Sequence, residues 1–519
     1  MDNETAPPTP YIEKDDDFEV LEFDDLKKNI SRIFLEPKYY YEYLNELKQQ
    51  GKKPDRETFC EGFFISSFSK SNGKVIEMSS SFRPDCGHFE CSELPAMKSE
   101  IIYKYPLQET KALELINLAA STCFPNGIKV CYDEKNGPNE IKNYTTSITT
   151  QKGEKYYVTN YHFYLKYRNA YYNKEYVETS LKYNLRKDRI NVLSINEEQL
   201  TDNKNNNIIQ NNSELNKKLK LKNIVYIPYC ICLISKYPYI QEMQKCLKSI
   251  YTIIKNPDSD VVINDLIMYL INAIPIPKKK TRIKFLLPYY NKSIIIEYPK
   301  LKDIYNMNFS VSSLLYYFCI DNLILIFRLL ISEKKILLID DDYQRLSTVA
   351  DGLVSILYPL QWTHTYKPII SYQMINYLDS FLPFLIGIDK SLMHLVVKNI
   401  QENKISINDE IFLIYINENT IQLSSTLKRV KKKMSKYIKD NIPSLPSGLE
   451  KELESKLKKA KGELEHIKKN KIKNTIKNRQ NCELLIRDCF IDLFVEMFED
   501  YEKYLTFVEQ EPIFNRIFY

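Results

Sequence analysis

The sequence predicts an α/β chain of more than one lobe, the larger lobe built on a mostly parallel, helix-covered sheet. Three observations carry that expectation. Ile336 to Ile339 is a short apolar run that stops at Asp340, Asp341 and Asp342, as a strand covered on both faces should. Helical patterns flank it. Leu323 to Ile331 is apolar almost all round apart from Arg328, and Leu346, Val349, Leu353, Ile356 and Leu357 recur at helical spacing until Pro359 closes the pattern. A second apolar run, Phe384 to Ile388 with Gly387 inside it, follows QWTHTYKP, Ile369 to Ser371 and a short helix around Met374 to Leu378. Strand, helix and strand repeated in this way call for parallel strands joined by right-handed crossovers.

At 519 residues the chain exceeds a single core, and two to four domains follow from length. The net charge of +6 is unevenly placed. Lys428 to Arg479 holds 18 Lys or Arg against 6 Asp or Glu, a local +12, so the rest of the chain sums to −6. Such a segment suits an anionic membrane surface or a nucleic acid, or is a plain solvated face. The opening MDNETAPPTPYIEKDDD is acidic and proline-containing, unlike a secretion signal. Apolar stretches are cut by charge before the roughly 20 residues a membrane span needs. The 11 cysteines are odd in number and irregularly spaced, which fits a reducing compartment better than a disulfide framework. The expectation is a soluble, cytoplasmic protein.

Along the chain, Met1 to Asp17 has the composition of a disordered segment. Leu26, Ile30 and Phe34, then Tyr40, Tyr43, Leu44 and Leu47, predict two short helices split at Pro37. FCEGFFISSF from Phe59 and KVIEMSSSF after the SNG turn read as a hairpin. In the loop that follows, Cys86, His88 and Cys91 have zinc-ligand chemistry but the wrong spacing and no fourth ligand nearby, so a loop is expected there. Leu113, Ile116, Leu118 and Ala119 predict a helix that ends before CFPNG, where Pro125, Asn126 and Gly127 force a turn. Ser147 to Thr150 and Lys155 to Tyr167 read as strands paired across QKG, with His162 a structural side chain. Thr201 to Asn223 is an Asn-rich linker.

VYIPYCICLI reads as a strand in which Pro228 belongs at the start or an edge. Met243, Leu247, Ile250 and Ile254 share one face of a helix, and Val261 to Ile271 is another, ended by IPIPKKK. Glu410 to Leu423 forms a hairpin turning at Asn417 to Asn419. Leu449, Leu453, Leu457, Ala460, Leu464 and Ile467 make the stripe of an amphipathic helix that packs on its own lobe. Leu485, Cys489, Leu493, Met497, Tyr501 and Leu505, with Phe490, Phe494 and Phe498 beside them, predict a final helix with a wide buried face.

Covalent chemistry leaves no local trace. With 11 glycines the chain has neither GxxxxGK[ST] nor GxGxxG, and it lacks G-x-S-x-G and HExxH. The histidines, at positions His88, His162, His364, His394 and His466, form no ligand pair. No catalytic, cofactor-binding or metal-binding residue is assigned.

The run EKKILLIDDDYQRLSTVADGLVSILYPLQWTHTYKPII with LDSFLPFLIGI resembles the central module of the DENN domain family of Rab guanine-nucleotide exchange factors. TCFPNG with SITTQKGEKYYVTNYHFYLKY resembles the upstream longin-like module. CLISKYPYIQEMQKCLKSIYTII and LINAIPIPKKKTRIKFLLP resemble the start of the central module, and IRDCFIDLFVEMFEDYEKYL the downstream one. The resemblance implies an N-terminal prefix over 1–57, a longin-like lobe (uDENN) over 58–180, a linker over 181–223, the central module (cDENN) over 224–395, and a C-terminal helical subdomain (dDENN) over 396–519.

Exchange needs no covalent group. It needs tighter binding to a GTPase whose switch segments have opened and released GDP. In the family the GTPase lies across both lobes. The expected partner-binding residues are Asp340, Asp341, Asp342 and Tyr343, where an open α/β sheet exposes functional loops, then Trp362, His364 and Tyr366. Asp342 serves equally as a helix cap, and Trp362 as core packing. Two rival functions remain open: a non-catalytic Rab-binding adaptor, and a folliculin-like component that stimulates hydrolysis with Arg83, Arg168 or Arg345. No cofactor and no nucleic acid are expected, and Lys428 to Arg479 is the candidate contact with an anionic membrane.

Overall fold

The computed structural model describes residues 57–67, 99–107, 110–128, 131–132, 141–167, 225–255, 263–277, 282–287, 290–297, 311–402, 410–428, 434–469, 476–508 and 511–514. The expected helices between Leu26 and Leu47, the Cys86/His88/Cys91 loop, Arg83, Arg168 and the Asn-rich tract lie outside them. Contacts divide the chain into two compact units, Met1–Pro299 and Lys300–Tyr519.

The first unit is organised by an antiparallel sheet. Its strands are β1 (Gly62–Ser67), β2 (Glu100–Tyr105), β3 (Cys131–Tyr132), β4 (Asn143–Thr149), β5 (Lys155–Tyr167) and β6 (Val225–Ser235). The order is β2-β1-β6-β5-β4, with β3 against the start of β6. Alternation along β5 decides the two faces. Tyr156 and Val158 point to α1 (Thr110–Ala120), which buries Leu115, Ile116 and Ala119 against them. Tyr161 and Phe163 point the other way, where both rings meet Tyr251 of α2 (Ile240–Lys255) at 5.2 and 4.9 Å. The helix α3 (Ile263–Met268) runs into a π turn at Tyr269–Ala273, and β7 (Arg282–Leu287) with β8 (Tyr290–Glu297) closes the unit as a hairpin.

Sequence order and space part company at β6. The sequence reading opens the central module at Ile224, yet β6 lies inside the first unit's sheet, between β1 and β5. Pairing explains this: β5 and β6 are long, and their register runs unbroken from Tyr157↔Ser235 to Tyr167↔Val225. Pro228 sits within an interior strand rather than at an edge. It is tolerated because the β1 register stops one residue short, at Ser67↔Tyr229.

The second unit holds a five-stranded sheet. Helices α4 (Ser312–Tyr317) and α5 (Ile320–Ile331) lead into β9 (Lys335–Asp340), α6 (Tyr343–Ser355), β10 (Thr365–Lys367), β11 (Phe384–Asp389), α7 (Met393–Gln401), β12 (Ile411–Tyr415) and β13 (Thr420–Leu423). Its order is β10-β11-β9-β12-β13, parallel except for β13. Every residue of β9 and β11 is buried, as the uninterrupted apolar runs require. One face packs Leu337, Ile339, Ile386 and Ile388 under Val396 and Ile400 of α7. On the other, Gly387 meets the chain after β10: a Cβ there would lie 1.9 Å from the carbonyl oxygen of Pro368, and Ile370 N donates to Gly387 O at 2.9 Å. Only glycine permits that approach.

Helices α8 (Met434–Asn441), α9 (Ser447–Lys469) and α10 (Ile476–Phe498) and the hairpin of β14 (Leu505–Val508) and β15 (Glu511–Phe514) follow. Leu453, Leu457 and Ala460 of α9 and Ile486, Phe490, Leu493 and Phe494 of α10 are buried, and Phe490 and Phe494 stand 5.0 and 5.7 Å from Phe327 of α5. The expected last helix is shorter than its spacing suggests. It ends at Phe498, Tyr501 falls in a 3-10 turn, Leu505 begins β14, and Leu485 is exposed. Glu499 and Asp500 put negative charge where the helix dipole is already negative, and the helix stops there.

Candidate functional site

The carboxyl ends of β9 and β11 lie side by side, with Asp389 in register with Asp340. The chain leaves β11 toward β12 on the far side of β9, so the strand order changes direction at β9 and its loops open there. Asp342 caps α6: its Oδ1 accepts from Arg345 N at 3.0 Å, which satisfies one orphan donor of the first turn. Asp340 Oδ1 accepts from Asp342 N at 2.9 Å, and its Oδ2 lies 3.3 Å from Arg345 Nη1. The same Nη1 donates to Asn417 Oδ1 at 2.9 Å, in the β12–β13 turn, and the guanidinium stands 5.4 Å from the centre of the Tyr317 ring. Lys390, just past β11, reaches Glu418 of that turn at 2.7 Å.

The electrostatics of this edge follow from burial. Asp340 is 2 % exposed, and desolvation pushes its carboxyl up to about 6 even though the Asp342 N–H and Arg345 favour the charged form. Burial and the neighbouring Asp389 hold the Tyr343 phenol well above its ordinary value. The hydrogen bond from Lys390 to Glu418 raises the ammonium of Lys390, with Asp341 adding to it. Asp341 and Asp342 are exposed, so the edge presents carboxylates over a buried, tied base.

The seven expected site residues fall into two groups at opposite ends of the sheet. Asp340, Asp341, Asp342 and Tyr343 converge at the carboxyl edge. Trp362 and His364 precede β10 at the amino edge, stacked edge to face at 5.4 Å, with Trp362 Nε1 donating to Thr365 O at 3.3 Å and His364 Nε2 3.1 Å from Glu333. Tyr366 turns toward α6 and donates from its hydroxyl to Asp351 Oδ1. Trp362 is half-buried, so its surface is not fully committed to the core. The amino edge also exposes apolar side chains that the sequence reading did not select, among them Phe381 at 86 % and Leu382 at 62 % exposure.

Arg345, Asp389, Asn417 and Tyr317 belong to the carboxyl edge and were not singled out as partner-binding residues. One signal was present for Asp389: ILLID and LIGID both end an apolar run on aspartate, and parallel register puts the two aspartates together. For Asn417 and Tyr317 only the fold supplies the proximity.

Comparison with known proteins finds family matches over two stretches of the chain. The family model for the DENN (AEX-3) domain matches residues 226–409, and that for the uDENN domain matches residues 99–163. DENN domain and WD repeat-containing protein SCD1 of Arabidopsis thaliana is 26% identical over 195 residues, 36% of this chain and 16% of that protein. DENN domain-containing protein 3 of Mus musculus is 26% identical over 167 residues, 31% of this chain and 13% of the relative. DENN domain-containing protein 1B of Mus musculus is 25% identical over 233 residues, 44% of this chain and 27% of the relative. The matched stretches span less than a third of the relatives' own lengths. The chain thus carries a uDENN domain match followed by a DENN domain match, and the latter includes Asp340 to Tyr343 at the carboxyl edge of the parallel sheet.

Proposed function

We propose that the chain is a DENN-type guanine-nucleotide exchange factor that promotes GDP release from a Rab GTPase in membrane trafficking. The observation that carries this reading is the DENN match over 226–409, which contains the open carboxyl edge at Asp340 to Tyr343. DENN proteins act in general as Rab exchange factors, and the work required is binding rather than bond-making. A protein that holds the opened, nucleotide-free GTPase more tightly than its GDP form weakens GDP affinity about tenfold for every roughly 1.4 kcal/mol of that preference. Exposed Asp341 and Asp342 offer acceptors to a switch segment, and Tyr343 an aromatic face; Trp362, His364 and Tyr366 form the second candidate contact. The testing experiment is release of fluorescent GDP across a complete Rab panel. Acceleration for one Rab supports the reading, and none across the panel, with folded protein, sinks it.

A non-catalytic Rab adaptor is the alternative, and it would prefer the GTP-loaded form in pull-downs. The hydrolysis-stimulating reading ranks lower, because Arg345 would have to give up Asp340, Asn417 and the Tyr317 face to act as a finger. The segment Lys428 to Arg479 is the proposed membrane contact of a cytoplasmic protein recruited peripherally. Part of its charge is already neutralised: Lys456 lies 2.9 Å from both Glu452 and Asp492, and Lys458 pairs with Glu454. Among the described residues no helix is long and apolar enough to cross a membrane. The prefix over 1–57 and the dDENN subdomain over 396–519 remain part of the proposed domain plan.

A further inference from the structure

Three cysteines far apart in sequence meet beneath the end of α1. Cys230 and Cys232 alternate onto one face of β6, and Cys123 reaches the same place from the turn after α1. Cys232 Sγ lies 3.3 Å from Cys123 Sγ and 3.4 Å from Cys230 Sγ, and all three sulfurs fall within 4.8 Å of one another, fully buried. A fourth donor is present. Asn160, opposite Cys232 in the β5–β6 register, places Oδ1 3.0, 3.7 and 3.8 Å from the sulfurs of Cys232, Cys123 and Cys230. Its Nδ2 is turned away toward Thr122 Oγ1 at 3.4 Å, which leaves the oxygen facing the thiols. Next along that face His162, opposite Cys230, is buried with Nε2 lacking a hydrogen-bond partner.

We propose that Cys123, Cys230 and Cys232, with Asn160 Oδ1 as the fourth donor, form a structural site for a thiophilic cation of the zinc class. The size is right. A tetrahedron with metal–sulfur bonds of about 2.3 Å has sulfur–sulfur edges of roughly 3.8 Å, so the observed contacts need to open by only a few tenths of an ångström. Three of the four donors are soft thiols and the fourth a neutral carbonyl oxygen, the coordination would be closed, and the donors are fixed by two paired strands and a turn, as a structural rather than a catalytic site requires. Binding releases the thiol protons, and a cation this deeply buried is taken up as the chain folds.

The site's position gives it a use. Cys123 lies in the uDENN match and Cys230 and Cys232 in the DENN match, so the cation would staple the two segments across the 109 positions that separate Cys123 from Cys232. This role concerns folding of the first unit and does not depend on nucleotide exchange.

The test is elemental analysis of the full chain purified without chelator. The expected result is one zinc per chain that survives gel filtration, is absent from Cys232→Ser, and is retained in Cys246→Ser, a buried cysteine outside the cluster. If Cys232→Ser fails to fold, wild-type chain refolded with Co²⁺ decides instead. Thiolate-to-cobalt charge-transfer absorption, with the strong visible bands of a tetrahedral ion, supports the site. Zinc far below one per chain together with no such bands in folded protein overturns it. Zinc that persists in Cys232→Ser also overturns it, because the metal then sits elsewhere.

Discussion

Arg345 reaches back from the first turn of α6 to Asp340 at the end of the preceding strand, Nη1 to Oδ2 3.3 Å, and spans from there to Asn417. One guanidinium thus ties a strand end, a helix start and a hairpin turn into the floor of the carboxyl edge. Arg345→Ala leaves a buried carboxylate without its cation and an amide without its donor. It is expected to cost about 2 kcal/mol, seen as a lower urea midpoint with unchanged slope. A loss within error would show that the edge is held by other contacts.

The same carboxyl gives a pH dependence. Burial raises Asp340 in the folded chain from 3.8 to about 6, so between those values the native state keeps a proton the unfolded chain has lost. Its contribution to stability is therefore present below about pH 4 and declines as pH rises through 6. Asp340→Asn removes that decline, so the variant should gain on the wild type as pH is raised from 4 to 7. Unfolding curves at three pH values suffice, and a constant difference between the two proteins would contradict the assignment.

Gly387→Ala puts a methyl 1.9 Å from where the Pro368 carbonyl now sits, and backbone must move. The expected loss is about 3 kcal/mol or more, comparable to other severe core changes. Thermal unfolding measures it. A drop of only a degree or two would mean that the β10 connection yields easily.

The two edges of the sheet can be told apart functionally. Asp341→Lys, at an exposed position, should cut GDP release at least tenfold while leaving the far-ultraviolet circular dichroism unchanged. Trp362→Ala and Phe381→Ala report on the amino edge in the same assay. Exchange insensitive to Asp341→Lys but lost in Trp362→Ala would move the contact to the other end of the strands.

Leu457 is fully buried between α9 and its neighbours, and Leu457→Ala should cost about 2 to 5 kcal/mol. Denaturant titration checks it. A negligible change would detach α9 from the core and favour a free basic helix.

Much of the second unit was legible because strong local patterns and tertiary placement agree there. Lys335–Asp340, Tyr343–Ser355, Phe384–Asp389 and the hairpin Ile411–Tyr415 with Thr420–Leu423 lie close to where periodicity puts them. His162 is buried between Phe124 and Tyr144, as its alternating strand implies. The stripe on α9 was legible only in its middle: Leu453, Leu457 and Ala460 are buried while Leu449 and Leu464 are half-exposed, because spacing marks a face without saying how much of it is covered.

By itself the sequence determined the strands and helices with strong periodicity, such as Lys335–Asp340, Tyr343–Ser355 and Phe384–Asp389, where the acidic turn falls, and the likeness to DENN proteins, since these depend on side-chain order along a short stretch of chain. Tertiary structure alone decided that β6 completes the first unit's sheet, that Asp340 and Asp389 become neighbours while Trp362 and His364 go to the opposite edge, and that Cys123 meets Cys230 and Cys232. The reason is physical: strand register and crossover direction couple residues tens to hundreds of positions apart, and no local periodicity carries that information.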